Sequence, residues 1–128
     1  GSGWGGLAAQ TARAYPNIEV IGYEATQLPY LFSRLRFALG DAPANLSIER
    51  RDFRRVEIED NTVYLCYLSP KAMEGVRRRF EDFRPMRSVV ISGLFAIRPW
   101  HPARVAKSPD FHGTTVYVYE FRHVDRRD

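Results

Sequence analysis

The residues most able to do chemistry stand at the start of the chain, where Gly1-Ser2-Gly3-Trp4-Gly5-Gly6 runs into an alanine-rich apolar stretch. A glycine turn opening a helix lets backbone N–H groups approach an anionic ligand, and the helix dipole favours negative charge there. Gly1, Gly3 and Gly6 satisfy G-x-G-x-x-G, and Glu24 follows Gly6 by 18 residues, near where an acid would accept the ribose hydroxyls of a nucleotide-like cofactor. The plainer alternative is a tight turn serving helix–strand packing with no ligand. In doubly wound folds this turn follows a buried first strand, yet nothing precedes Gly1, so the natural protein is expected to extend upstream.

The elements that must hold these residues can be read from periodicity. Residues 4–15 carry Leu7, Ala8, Ala9 and Ala12 and stop at Pro16-Asn17, which predicts a first helix. The β-branched run 18–24 predicts a strand ending in Glu24, and Leu28, Leu31, Phe32, Leu35 and Leu39 recur at helical spacing until Gly40. A short strand is expected over 46–50. Residues 62–68 read as a near-continuous apolar strand of the kind a parallel sheet buries on both faces. Pro70 opens a third helix whose Met73, Val76, Phe80 and Phe83 share one side. A core strand is expected over 88–97, a loop with a short strand at Arg104-Val105-Ala106 after it, and a last strand over 114–121. Strand alternating with helix predicts an α/β fold: a Rossmann-like doubly wound, mostly parallel sheet ending in an antiparallel strand, its first strand missing from this chain. Residues 1–128 are read as a single domain, truncated at its N-terminus.

The order of these motifs resembles the class I S-adenosylmethionine-dependent methyltransferases. Gly1-Ser2-Gly3-Trp4-Gly5 is similar to that family's first motif, Tyr23-Glu24-Ala25 to its second and Arg51-Asp52-Phe53 to its third, while the closing strands fit its terminal antiparallel pair. More narrowly, residues 22–31, 51–53, 63–70 and 115–119 resemble lysine methyltransferase-like proteins that act on mitochondrial membrane proteins. The resemblance implies S-adenosyl-L-methionine as cofactor and Gly1, Ser2, Gly3, Trp4, Gly5, Glu24, Ala25, Asp52 and Phe53 as its binding residues. Glu24 would accept from the ribose hydroxyls and Asp52 from the adenine amino group, with Phe53 on the ring. An amine acceptor must lose a proton before it attacks, which makes Tyr67 and Ser69, after the fourth strand of the full family fold, the candidate catalytic residues. Tyr67-Leu68-Ser69-Pro70 lacks the Asn/Asp-Pro-Pro-aromatic signature of many base methylases, which disfavours planar exocyclic amines. Trp4 stands where the narrower group carries a small acidic residue.

Composition bounds the rest. The 128 residues are 45% hydrophobic and 13% aromatic, enough for a core, and no apolar run reaches the roughly 20 residues a membrane span requires. One cysteine, Cys66, excludes an internal disulfide and a cysteine-rich zinc site; its apolar neighbours make it a buried filler. His101, His112 and His123 lack metal-ligand spacing, so no metal is expected. Net charge is +4; residues 61–128 hold 12 Lys/Arg against 7 Asp/Glu. The expected partner is a methyl acceptor, with protein favoured over nucleic acid, and the expected compartment is the cytoplasm. Two rival readings stay open: a nucleotide-binding oxidoreductase fragment, and a noncatalytic α/β module that binds nucleic acid or an acidic protein.

Overall fold

The structure, a computed structural model, describes residues 5–40, 42–109 and 113–122. The chain divides into two compact units, Gly1–Val56 and Glu57–Asp128.

In the first unit, helix α1 (Gly6–Ala14) leads to strand β1 (Val20–Tyr23), helix α2 (Gln27–Leu39) and strand β2 (Leu46–Glu49), followed by a 3-10 turn at Phe53–Arg55. Strands β1 and β2 pair in parallel, with Val20 opposite Leu46 and Tyr23 opposite Glu49. Ala9, Ala12 and Ile48 form the small apolar core. The last carbonyls of a helix have no partner within it. Here Asn45 Nδ2 lies within hydrogen-bond distance of the Ala12 (3.0 Å), Tyr15 (3.0 Å) and Ile18 (2.7 Å) oxygens, which ties the end of α1 to the amino end of β2. The Gly5 end of this nine-residue helix is therefore roughly 13 Å away along the axis, directed toward the other end of the strands.

In the second unit, strand β3 (Thr62–Cys66), helix α3 (Pro70–Phe83) and strands β4 (Arg87–Gly93), β5 (Arg104–Lys107) and β6 (Thr115–Arg122) follow in order. The sheet runs β3-β4-β6-β5. Strand β3 is parallel to β4, and β6 lies antiparallel between β4 and β5. The expected antiparallel close of the sheet is thus observed, including the short strand at 104–106. Met73, Val76 and Phe80 of α3 are buried, as are Val90 of β4, Ile97 and Tyr119 of β6. Phe80, Trp100 and Phe121 form an aromatic cluster with centroids 4.9–6.1 Å apart, and Trp100 Nε1 donates to Glu81 Oε1 at 3.0 Å.

Three expectations need correction. Strand β3 is not buried on both faces: among the described residues it is the edge of its sheet, and Val63 is 59% exposed. Phe83 is exposed, because α3 ends there and Arg84 turns left-handed at φ 51°. The strand expected over 88–97 ends at Gly93, where Leu94 adopts φ 72° and its N–H donates to Thr115 O at 2.9 Å.

Candidate functional site

The first unit collects the sequence-predicted cofactor residues that can be described. Gly5 caps the N-terminus of α1 at φ 79°, a left-handed conformation that disfavours any residue with a Cβ. A Cβ there would lie 3.1 Å from Phe37 Cε2 and 3.1 Å from Ser33 Oγ. Glycine is thus required twice, by backbone conformation and by the close approach of α2. Gly1, Ser2, Gly3 and Trp4 lie outside the described residues.

Glu24 follows β1 directly, at the carboxyl end of the parallel pair, and its N–H donates to Glu49 O at 3.0 Å. It is only 6% exposed. Its Oε1 accepts from Thr26 N at 2.9 Å, so the carboxylate helps to satisfy the first amides of α2. Ala25 beside it is exposed.

Asp52 comes three residues after β2, on the segment leaving the same end of the pair. It caps the 3-10 turn, Oδ1 accepting from Arg54 N at 2.9 Å, and it is paired with the Arg54 guanidinium through Nε and Nη2 at 2.5–3.0 Å. These bonds favour the charged form and hold the carboxyl down to about 2, the side-chain bond to Arg54 contributing most. Phe53 opens the turn half-buried. Glu24 and Asp52 are therefore both engaged in shaping the local backbone, a role that spacing alone did not reveal for Glu24.

Tyr67 and Ser69 belong to the second unit, in the link from β3 to α3. Ser69 is the N-cap of α3, its Oγ accepting from Ala72 N at 3.3 Å, with Pro70 at the first helical position. Tyr67 is 57% exposed. Its ring lies over Gly93 at the end of β4: a Cβ on Gly93 would stand 2.7 Å from Tyr67 Cδ2. Past Gly93 the chain turns sharply, Ser92 Oγ donating to Phe95 O at 2.6 Å, and Leu94 and Phe95 are left exposed. Tyr67, Leu94 and Phe95 are thus exposed apolar and aromatic side chains at this end of the β3–β4 pair. The seat under Tyr67 escaped the sequence reading, although an isolated glycine in a strand is the known signal for such an approach.

Cys66 is half-buried on β3, less covered than the buried filler expected, and desolvation pushes its thiol up to about 11. His101 is exposed, while His112 and His123 lie outside the described residues.

This arrangement has counterparts among known proteins. The family model for the ANTKMT methyltransferase domain matches residues 1–104. The chain belongs to that family. It is a class I S-adenosylmethionine-dependent methyltransferase, which decides against the oxidoreductase and noncatalytic readings. Its fold is similar to the crystal structure of an RNA methyltransferase from Salinibacter ruber in complex with S-adenosyl-L-homocysteine, with a TM-score of 0.81. The two are 23% identical over 100% of this chain and 81% of that one, a likeness that shows the Rossmann-like fold. No curated protein matches the chain.

In the first unit Glu24 holds a carboxylate, a group able to accept from hydroxyls, at the end of β1, while the space a Cβ would fill at Gly5 is closed by Phe37 and Ser33 of α2.

Proposed function

We propose that this methyltransferase domain transfers a methyl group to a protein lysine. The observation that carries the lysine reading is Tyr67, an exposed aromatic side chain held over Gly93, after which Leu94 and Phe95 are also exposed. An aliphatic stem ending in an amine suits these side chains: the methylenes lie on apolar surface and the nitrogen meets a ring face and a hydroxyl. The resemblance of residues 63–70 to lysine methyltransferase-like proteins, and the missing base-methylase signature there, support the same acceptor.

The amide groups of Gly5 and the start of α1 would receive the cofactor's carboxylate, as the positive end of a helix favours. Glu24 accepts from the ribose hydroxyls beside its bond to Thr26. Asp52, kept ionised by Arg54, accepts from the adenine amino group, and Phe53 covers the ring. When bound, S-adenosylmethionine supplies a methyl group already activated by its sulfonium. The chain's remaining tasks are to orient the acceptor amine and to manage its proton, and positioning of this kind supplies much of the acceleration in two-substrate reactions. Tyr67 Oη holds the amine through a hydrogen bond, and Ser69 fixes the start of α3 while its hydroxyl contributes a second polar contact.

The test is transfer of a labelled methyl group from S-adenosylmethionine to proteins and to RNA, with the modified residue identified by mass spectrometry. Methyl-lysine formation that is lost in Glu24→Ala and reduced at least about tenfold in Tyr67→Phe is expected. Label in RNA, or methyl-lysine formation unaffected by Tyr67→Phe, would overturn the acceptor assignment. Calorimetry with S-adenosylhomocysteine tests the cofactor residues separately, through Glu24→Ala and Asp52→Ala.

A further inference from the structure

Helix α2 is apolar on two opposite sides. It meets its own unit through Pro29, Tyr30, Ser33 and Phe37, which span an arc of about 100° at 100° per residue. Ser33 is fully buried, its Oγ donating to Pro29 O at 2.8 Å. Leu28, Leu31, Phe32, Leu35 and Leu39 occupy the opposite arc, again about 100° wide, and all five are exposed, from 49% at Leu31 to 80% at Leu39. Every leucine of the helix therefore faces outward along its whole length of roughly 20 Å. Hydrophobic faces this continuous mark interaction surfaces.

The charges beside the stripe say what covers it. Arg34 borders one side and Arg36 the other, the Arg36 guanidinium lying 5.7 Å from the Phe37 ring centroid. No acidic residue occurs anywhere in Gln27–Leu39. A second copy packed on the stripe across a two-fold axis would bring these arginines together with no carboxylate from either helix between them, a like-charge contact that opposes association. An anionic lipid surface answers both features at once, since leucine side chains enter the boundary between headgroups and acyl chains while the flanking arginines meet phosphate. Among the described residues no helix is long and apolar enough to cross a membrane, so the contact is with the membrane plane.

We propose that α2 is an interfacial helix that docks the domain on anionic membranes through Leu28, Leu31, Leu35 and Leu39, with Arg34 and Arg36 contacting headgroups. The proposal is independent of the acceptor assignment, because its readout is vesicle binding.

The experiment is flotation of the full chain with phosphatidylcholine vesicles, with and without about 30% phosphatidylglycerol. Binding to the anionic vesicles that weakens with salt is expected, about fivefold weaker for each of Arg34→Gln and Arg36→Gln. Leu31→Asp and Leu35→Asp each lower the partition at least about tenfold. Leu35→Trp, which keeps the stripe apolar, is the companion probe should the aspartate variants fail to fold; its emission should shift to the blue on anionic vesicles and be quenched by brominated lipid. Absence of wild-type flotation with anionic vesicles would overturn the proposal, as would unchanged Leu35→Trp emission. A concentration-dependent dimer broken by Leu35→Asp, without vesicle binding, would assign the stripe to a second copy instead.

Discussion

Gly5 tests whether the turn before α1 is built for close approach, because two independent costs converge on one methyl group. Alanine at φ 79° enters the left-handed region, which costs a residue with a Cβ about 1–2 kcal/mol. Its Cβ also stands 3.1–3.2 Å from Ser33 Oγ and two atoms of the Phe37 ring, so α2 must yield by a few tenths of an ångström. Overpacking of this kind costs about 1–3 kcal/mol, and the lower half of that range suits a ring that can tilt. Gly5→Ala should therefore lose about 2–4 kcal/mol. Gly6 supplies the control. It is the first residue of α1, has nothing within 4 Å of its virtual Cβ, and should gain up to about 1 kcal/mol as alanine. Urea unfolding followed by far-ultraviolet circular dichroism measures both variants, and calorimetry with S-adenosylhomocysteine on the folded fraction reports the turn's geometry. A Gly5→Ala protein within about 0.5 kcal/mol of wild type, a shift typical of surface changes, would refute the argument that α2 closes on the turn.

Three further expectations concern single groups. Gly93→Ala drives a methyl to 2.7 Å from Tyr67 Cδ2, so the ring must swing away; methyl transfer should fall at least about tenfold with S-adenosylhomocysteine affinity unchanged, as steady-state kinetics and calorimetry would show. Asp52 should titrate near 2 in carboxyl-detected NMR and return toward the usual 3.8 in Arg54→Gln; because its folded value is depressed, its contribution to stability is complete above pH 3.8 and lost as pH falls through about 2. Cys66, raised from 9.0 to about 11, should react with a thiol reagent at pH 8 about a hundredfold more slowly than a free thiol and reach the ordinary rate only on unfolding in urea.

Elements were legible in this chain wherever a local signal marks an end. Pro70 marks the start of α3, and Gly40 stops α2. Burial was less legible, because a side chain's exposure depends on which strands and helices become neighbours. The run Thr62–Cys66 has the composition of a strand covered on both sides, yet Val63 and Leu65, which share one face, are exposed, since no layer among the described residues covers that face. Phe83 follows the same logic. It shares the phase of Met73, Val76 and Phe80, but the helix ends before a neighbour reaches it.

The candidate site divides along the same line between local and long-range information. Spacing brings Glu24 and Asp52 to the carboxyl ends of neighbouring parallel strands, since each acid closely follows its strand and the register aligns Tyr23 with Glu49. Their partners, Thr26 for Glu24 and Arg54 for Asp52, lie two residues on, close enough in sequence that side-chain-to-backbone turns were available to prediction. The contacts Gly5–Phe37 and Gly93–Tyr67 link residues more than 25 positions apart, and a glycine announces only that something comes close, never what. The same reasoning separates the two sides of α2. Helical periodicity brings its leucines to one side, but Ser33 and Phe37, on the opposite arc, occupy the approach to Gly5, and the four leucines are exposed.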